Sequence, residues 1–178
     1  LNAIFEGLTV RGTGGAGAKT PGLGMFAVGL NTTGVDFEDV LIEDNICNGF
    51  KAYMIDSATR IFNMTITDSG NPTSVYMNDH AGMFIRSSNW APVIDYLTVS
   101  GSAGDGIMLW KASLQGSNWV AENNAGAGLY VREAHPQVVG VETTGNGENG
   151  LFVYDSSNVE FADLSSSNNG ASALLPKF

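Results

Sequence analysis

The stretches NAGAGLYV at residues 124–131 and NGENGLFV at residues 146–153 repeat one phrase, and this phrase decides the fold. Each begins with asparagine, reaches a glycine four residues later and continues into large apolar residues. The same glycine occurs at Gly106, Gly128 and Gly150, a step of 22 residues. A fixed step of this length is typical of a solenoid, in which each repeat buries its apolar side only against its neighbours.

Seven copies of the phrase can be traced, and each follows a second apolar segment. The clearest of these earlier segments cover residues 37–42, 61–66 and 94–99, which are rich in β-branched and aromatic residues. They are too short for helices, and no window shows a sustained helical period. The sequence therefore predicts an all-β chain, a single-stack right-handed parallel β-helix of about seven coils with little or no α-helix.

On these residues the chain resembles the right-handed parallel β-helix proteins, the pectate-lyase-like superfamily. The resemblance runs from Ile4 to about Leu174 and rests on the asparagine–glycine phrases. It implies a fold that carries both polysaccharide-modifying enzymes and non-catalytic modules, so the fold does not select between them. We interpret residues 1–178 as one β-helix domain and expect it to be a fragment of a longer protein.

The charge balance excludes some partners. Asp and Glu (18) outnumber Lys and Arg (8), for a formal net charge of -10. An acidic surface disfavours binding to nucleic acid and to anionic lipid. No stretch of about 18 apolar residues is present, so we expect no membrane insertion. Cys47 is the only cysteine and allows no internal disulfide. For a β-helix module of this kind we expect an extracellular or cell-surface location.

No motif points to a cofactor. The glycine run at residues 12–17 lacks the following helix that a dinucleotide fingerprint needs. His80 and His135 lack the spacing of a zinc site. Five acidic residues crowd one coil and could bind calcium weakly, although a solvated acidic edge is the simpler interpretation; they are Asp36, Glu38, Asp39, Glu43 and Asp44.

A small polar residue recurs three residues after each earlier strand. Asparagine tolerates the left-handed backbone of a sharp turn and can bond the local backbone. Repeated at one level, such residues could stack into a ladder, although ordinary solvated turns would need no ladder. The positions are Asn45, Ser69, Ser102, Asn124, Asn146 and Ser167.

Alternation along the later strands separates inward from outward residues. The predicted inward residues are Ile107, Leu109, Leu129, Val131, Leu151 and Val153. One predicted outward column contains Phe26, Tyr53, Phe84, Met108, Tyr130 and Phe152. The next contains Ile55, Arg86, Trp110, Arg132 and Tyr154.

Aromatic and arginine side chains at outward positions predict an interaction surface. We predict ligand contacts from Tyr53, Phe84, Arg86, Trp110, Tyr130, Arg132, Phe152 and Tyr154. Sugar rings stack on aromatic faces, and arginine pairs with carboxylates, so acidic polysaccharide is the leading ligand class. The same side chains could instead form a self-contained cation–π stack, or be covered by another protein chain.

Candidate catalytic groups are sparse. Tyr76, Asp79 and His80 are similar to the Tyr/Asp/His cluster of alginate epimerases, but here Asp and His are adjacent. Asp79 and Asp105 could form the acid pair of a glycosidase. The residues available as the base of a lyase are Arg86, Lys111 and Arg132.

Two functions follow from these patterns. The first is a non-catalytic surface module, of scaffold or adhesin type, whose aromatic and arginine face binds polysaccharide or a partner protein. The alternative is a polysaccharide-modifying enzyme, a lyase, hydrolase or C5-epimerase, that uses the same face as its cleft. The insertions at residues 11–23 and 67–81 precede the same strand position, so both are expected to flank this face.

Overall fold

A computed structural model of the chain describes residues 3–12, 24–28, 35–55, 57–70, 80–86, 91–170 and 174–177. Within these ranges the chain forms fifteen β-strands and no helix, as predicted. The strands are β1 (Ala3–Glu6), β2 (Thr9–Arg11), β3 (Met25–Val28), β4 (Val35–Glu43), β5 (Phe50–Tyr53), β6 (Arg60–Thr67), β7 (Met83–Arg86), β8 (Val93–Ser100), β9 (Ile107–Trp110), β10 (Ser113–Glu122), β11 (Leu129–Arg132), β12 (His135–Thr144), β13 (Leu151–Tyr154), β14 (Glu160–Ser167) and β15 (Leu174–Lys177).

The strands form two parallel sheets. The long-strand sheet runs in the order β1, β4, β6, β8, β10, β12, β14, and β2 also pairs with β4. The short-strand sheet runs β3, β5, β7, β9, β11, β13, β15. Leu129 of β11 lies between Ile107 of β9 and Leu151 of β13. Equivalent residues of successive repeats therefore lie side by side, which is the arrangement of a parallel β-solenoid.

Well-formed coils bend at three residues with left-handed backbone. In the coil that contains β10 and β11 these are Asn118, Asn123 and Glu133, with φ of 56°, 54° and 48°. Asn118 lies in the middle of β10, so the long strand is itself bent. The equivalent residues of the other long strands are Asp39, Asn63, Tyr96, Gly140 and Asp163. Most are Asn, Asp or Gly, which adopt this conformation at low cost.

The interior contains the aliphatic residues predicted to point inward. Leu109, Leu129 and Val131 are completely buried, and Ile107, Leu151 and Val153 are buried with them. They pack with apolar residues of the long-strand sheet, including Trp119, whose indole N–H donates to the carbonyl of Ile94 at 2.8 Å. The predicted inward phase of the short strands is therefore confirmed.

The predicted ladder is present at the turn between the two sheets. The Asn124 amide donates to Oδ1 of Asn146 at 2.9 Å, and the Asn146 amide donates to Oδ1 of Asn169 at 2.8 Å. Asn45 donates to Ser69 at a longer 3.4 Å. The last position was predicted wrongly as Ser167, which ends β14 and is exposed. Asn169 takes its place because the left-handed residue precedes it, at Asn168.

The repeated glycine makes room for this ladder. A Cβ atom on Gly106 would lie 2.5 Å from the Asn124 amide nitrogen and 2.7 Å from the carbonyl oxygen of Gly128. A Cβ atom on Gly128 would meet Asn146 and Gly150 at 2.7 Å and 2.8 Å. The glycine and the asparagine of neighbouring coils therefore require one another, which explains why both recur at the same step.

Candidate functional site

The outer face of the short-strand sheet carries two rows of side chains. Register places Lys51, Phe84, Met108, Tyr130 and Phe152 side by side in the first outer row. It places Tyr53, Arg86, Trp110, Arg132 and Tyr154 in the second outer row. The predicted site residues thus lie on one face of one sheet, one coil apart.

Two positions in these rows differ from the prediction. Tyr53 belongs to the second outer row, beside Arg86, whereas the sequence pattern placed it beside Phe84. Ile55, predicted outward, is buried in the main core. The cause is Gly49, where a Cβ would lie 2.4 Å from the Ile66 side chain. Gly49 therefore occupies the repeat position, and β5 begins at Phe50, two residues earlier than a placement of Tyr53 beside Phe84 requires.

Lys51 is the side chain that this shift reveals. It occupies the first outer row, and its Nζ lies 5.6 Å from the ring centroid of Phe84 and 5.9 Å from that of Tyr53. The residue is nevertheless buried. The sequence pattern did not indicate a lysine among the outward aromatic residues, because placing Tyr53 beside Phe84 shifts β5 by two residues.

Phe84 also differs from the prediction, because it is completely buried. With Ala81 and Met108 it forms a small apolar cluster separate from the main core, and Tyr53, Trp110 and Tyr130 pack against this cluster. The outward direction of Phe84 was predicted correctly, but its exposure was not. Its ring supports the surface from below and has no area with which to contact a ligand.

Four half-buried residues of the second outer row form a continuous stack of cations and rings. The Arg86 guanidinium carbon lies 4.2 Å from the centroid of Trp110, and that of Arg132 lies 4.8 Å from the same ring. Arg132 also lies 5.7 Å from the ring of Tyr154. Such contacts hold both guanidinium groups in place. The self-contained stack considered from sequence is therefore present.

The first outer row adds a second aromatic pair. The rings of Tyr130 and Phe152 stack with centroids 5.1 Å apart and an interplanar angle of 30°. Both residues are half-buried, so one side of the pair remains accessible. We call the whole surface the cation–aromatic face; its members are Lys51, Tyr53, Arg86, Trp110, Tyr130, Arg132, Phe152 and Tyr154.

Charge is segregated between the two sheets. The strands of the short-strand sheet contain four basic residues, at positions 51, 86, 132 and 177, and no acidic residue. The strands of the long-strand sheet contain ten of the 18 acidic residues, but only Arg11 and Arg60 as basic ones. A protein with net charge -10 therefore concentrates half of its basic residues on one narrow sheet.

One carboxylate borders the cation–aromatic face. Glu133 pairs with Lys111 at 3.2 Å and with Nε of Arg132 at 3.3 Å. The hydrogen bond from Lys111 is the main cause that lowers the pKa of Glu133. The indole N–H of Trp110 adds to this effect from nearby, although its geometry is not that of a hydrogen bond. Arg86 makes no ion pair with any residue that the structure describes.

A cavity of about 290 Å³ adjoins the face at the ends where the short strands begin. We call it the acid cavity; the polar side chains that line it are His80, Asp105, Tyr130 and Glu148. Tyr130 belongs to both the cavity and the cation–aromatic face. Glycines complete the wall at positions 104 and 126, so backbone lies close to the open space.

Asp105 is the most perturbed group of this cavity. Although the residue as a whole is only partly buried, its carboxyl lies among protein atoms, and this burial raises its pKa to about 6. The negative charge of Glu148 adds to the rise, whereas a hydrogen bond from the Ala127 N–H, at 2.8 Å, and the charge of His80 oppose it. A carboxyl with such a pKa exchanges protons near neutral pH.

Tyr130 is perturbed in the same direction. Burial is the main cause that raises the pKa of its phenol, and the charge of Asp105 adds to this, while Arg132 opposes it. Because the charge of Asp105 acts on Tyr130, which belongs to both surfaces, the cavity is electrostatically coupled to the cation–aromatic face.

Of the acid, base and tyrosine side chains predicted as catalytic groups, some lie among the described residues and some do not. Tyr76 and Asp79 lie outside the described residues, so their pairing with His80 or Asp105 stays a prediction. His80 does line the same cavity as Asp105. Glu148 was missed, although Asp105 and Glu148 fall one and two residues before repeat glycines, at positions 106 and 150. The signal available in the sequence was therefore only that both acids lie in the turn directly before a repeat glycine.

Other surfaces of the described chain carry less chemistry. Two concavities of about 270 Å³ and 230 Å³ lie at the bends of the long strands, and neither is lined by Lys, Arg or His. No group of three or more His, Cys, Asp or Glu that could hold a metal ion occurs among the described residues. Those residues also include no helix with the length and apolar character needed to cross a membrane.

Comparison with known proteins agrees with this fold. No curated protein is significantly similar in sequence. Among solved structures, the chain is similar to the crystal structure of the periplasmic alginate epimerase AlgG, with a TM-score of 0.51 and 12% sequence identity. The match covers 98% of this chain and 47% of that one, so the chain spans about half the length of the epimerase. At this identity the likeness concerns the fold alone.

The family assignment rests on most of the chain. Residues 26–175 match the family described as "Right handed beta helix region". This range contains all of the cation–aromatic face and the acid cavity, together with the ladder that supports them. The chain belongs to the right-handed β-helix family.

Proposed function

We propose that this chain binds an acidic polysaccharide along the cation–aromatic face. The observation that supports the proposal most strongly is the segregation of charge, since Arg86 and Arg132 lie half-buried on short strands that contain no acidic residue, in a protein of net charge -10. Bulk charge would repel an anionic polymer, so a basic strip is needed to bind one. The two arginines lie on parallel strands of one sheet, on the two sides of β9, a row that suits an extended chain.

Different side chains of the cation–aromatic face are expected to contact the carboxylates and the sugar rings of the ligand. Arg86 and Arg132 cover the two sides of Trp110, so the indole ring orients the guanidinium groups and does not itself stack on sugar. The outer edges of these groups are available to pair with carboxylates. The stacked rings of Tyr130 and Phe152 offer an accessible apolar surface for a sugar ring.

Location and partner belong to the same proposal. The structural neighbour is a periplasmic alginate epimerase, which supports a place outside the cytoplasm and a carbohydrate ligand. The other partner considered from the sequence is a second protein chain. A protein partner would give self-association or a defined complex, whereas a polysaccharide ligand would give salt-sensitive binding to the isolated chain.

The test is binding of alginate fragments, measured by isothermal titration calorimetry. A buried hydrogen bond to a charged group contributes about 1.5–3 kcal/mol, and an exposed ion pair contributes up to about 1 kcal/mol. Because the double substitution Arg86→Gln and Arg132→Gln removes two such contacts, it should weaken binding at least tenfold. Trp110→Ala should weaken it by about 2 kcal/mol through loss of the support for both guanidinium groups. Added salt should weaken binding of the unchanged protein.

Arg60 provides a matched control. Its guanidinium also lies over a ring, 5.0 Å from the centroid of Phe62, but on the long-strand sheet. Arg60→Gln removes the same charge and the same kind of cation–π contact, so it should leave alginate binding unchanged. Equal losses in Arg60→Gln and Arg86→Gln would show that net charge, and not the face, governs binding.

A second candidate function is enzymatic modification of the bound polysaccharide. The acid cavity supports it, because His80, Asp105, Tyr130 and Glu148 converge beside the cation–aromatic face. A carboxyl with a pKa of about 6 suits general acid–base chemistry near neutral pH. Incubation with alginate, followed by NMR of the sugar units and chain ends, should then show a product that Asp105→Asn abolishes. Unchanged polymer under conditions of proven binding would leave the non-catalytic module.

A further inference from the structure

The acid cavity poses an electrostatic problem for the ligand proposed above. An anionic polymer that lies on Tyr130 and Arg132 reaches the cavity, because Tyr130 is part of both surfaces. There it meets Asp105 and Glu148, which lie on coils that are two repeats apart and face the same space. Two carboxylates beside a ligand carboxylate would repel it.

We propose that the acid cavity is a proton-linked subsite, which takes the uncharged, hydroxyl-bearing side of a sugar unit while the protein binds one proton at Asp105. This inference rests on the proposed function, since it concerns the ligand of the cation–aromatic face. The carboxylates of the polymer pair with Arg86 and Arg132, and its hydroxyl groups enter the cavity.

The side chains of the cavity fit hydroxyl groups. Asp105 and Glu148 accept hydrogen bonds, the Tyr130 phenol donates and accepts, and the imidazole of His80 can do either. Backbone approaches closely at Gly104 and Gly126, where a Cβ atom would lie 2.4 Å from the His80 side chain and 2.6 Å from the Asp105 carboxyl. A volume of about 290 Å³ lies at the lower end of the range for small-molecule sites.

The proton has a defined place in the cavity. The described groups that face Asp105 are Glu148, His80 and Tyr130, and Arg132 acts on Tyr130 from the adjoining face. Burial and Glu148 already favour the protonated form of Asp105 in the unliganded protein. An anionic ligand adds negative charge nearby and favours that form further, so binding and protonation reinforce one another.

The linkage has a definite sign. Below about pH 6 Asp105 is protonated with or without ligand, so affinity does not change with pH. Above that value the unliganded protein loses the proton and must recover it on binding. Affinity should therefore fall as pH rises, by up to about tenfold for each pH unit when one proton is taken up.

The test is alginate binding by calorimetry between about pH 5 and pH 8 at constant ionic strength, in buffers of different ionisation enthalpy so that proton uptake is counted. The unchanged protein should lose up to about 100-fold in affinity between pH 6 and pH 8. Asp105→Asn is neutral throughout and keeps an oxygen for the Ala127 N–H, so its affinity should stay flat and exceed that of the unchanged protein at the upper end.

Two further variants locate the proton. Burial is the main cause that raises the pKa of Asp105, and Glu148→Gln removes a charge that adds to it, so the fall in affinity should begin at a lower pH. His80→Gln should keep the fall, because the proton resides on Asp105. A fall that persists in Asp105→Asn but disappears in His80→Gln would place the proton on the imidazole and overturn the inference.

The outcomes separate this inference from the proposed function. Binding that depends on Arg86 and Arg132 but is flat with pH, with no proton uptake, refutes the subsite and leaves the proposed function standing. Absence of alginate binding at every pH refutes both. A neutral glucan of equal length serves as the control ligand, because without carboxylates it should show much weaker pH dependence.

Discussion

The asparagine ladder makes a quantitative prediction about stability. Asn146 is buried, and its side chain makes four hydrogen bonds. Its Oδ1 accepts from the backbone N–H and the side-chain amide of Asn124, at 3.1 Å and 2.9 Å. Its amide donates to the carbonyl of Ala121 at 3.0 Å and to Oδ1 of Asn169 at 2.8 Å. Asn146→Ala removes all four bonds at once.

The magnitude follows from these bonds. Each contributes about 0.5–1.5 kcal/mol net, so four set an upper figure of about 6 kcal/mol. The space left by the side chain is polar and can admit water, which restores part of the loss. We expect the free energy of unfolding to fall by about 3 kcal/mol. Asn146→Ser should lose less, because serine occupies the equivalent position in other coils, at Ser69 and Ser102.

Urea unfolding, followed by circular dichroism, measures this change. Gln137→Ala is the matched control, since it removes an exposed amide from β12, the strand that precedes Asn146, and should change stability by less than about 0.5 kcal/mol. A loss below about 1 kcal/mol in Asn146→Ala would refute the reasoning, because the ladder bonds would then contribute no more than bonds to water.

Three further predictions concern the core, the repeat glycine and the buried acid. Leu129→Ala should lower the free energy of unfolding by about 2–5 kcal/mol in urea, and a loss below about 0.5 kcal/mol would mean that the residue does not point inward. Gly106→Ala should cost about 1–3 kcal/mol, because the new Cβ meets the Asn124 amide and the carbonyl of Gly128; an unchanged urea midpoint would contradict this. The pKa of Asp105 is raised from an ordinary value of 3.8 to about 6, so the stability it confers is complete below the lower value and lost as pH rises through the higher one. Asp105→Asn should therefore stabilise the protein by up to about 3 kcal/mol at pH 8, and by less to the extent that Asp105 is exposed to solvent. A stability difference between the two proteins that does not change with pH would show that the ionisation of Asp105 is not its cause.

The phase of the short strands could be predicted from sequence because it depends on local alternation. Leu129 and Val131 are both apolar, lie two residues apart and recur at a fixed step, so only one face of the strand can be the inner one. The same reasoning failed at β5, where the phrase that begins at Asn45 and Gly49 continues into Lys51, a charged residue within the strand. The resulting error in the register of β5 placed Tyr53 in the wrong outer row and left Lys51 out of the predicted face.

The bends within the long strands could not be predicted in full. Asn63, Asn118 and Gly140 are residue types that favour left-handed backbone, but Tyr96 adopts φ of 56° in the same row. A tyrosine carries no local signal for this conformation. It is imposed by the coils above and below, whose bends lie at the same level, so the information is in the stack and not in the segment.

Burial of the outward residues depended on contacts that no periodic pattern contains. Phe84 and Tyr130 occupy the same outer row, yet Phe84 is completely buried and Tyr130 is only half-buried. Alternation gives the direction of a side chain, whereas its exposure depends on what packs over it. For that reason the sequence predicts which side chains of the cation–aromatic face point outward, whereas the structure is needed to show which of them are accessible.

The turn that stabilises the solenoid also fixes the acid cavity. Asp105 lies between Ser102, whose N–H donates to Oδ1 of Asn124 at 3.0 Å, and Gly106, which adjoins the same asparagine. Its own carboxylate accepts from the Ala127 N–H of the next coil. The backbone that carries the acid is thus held from both sides by bonds between coils, and a rigid backbone keeps the carboxyl among protein atoms, where its pKa stays raised. Loss of the ladder at Asn124 should consequently loosen this turn, hydrate Asp105 and weaken the pH dependence of binding, although Asn124 itself does not line the cavity.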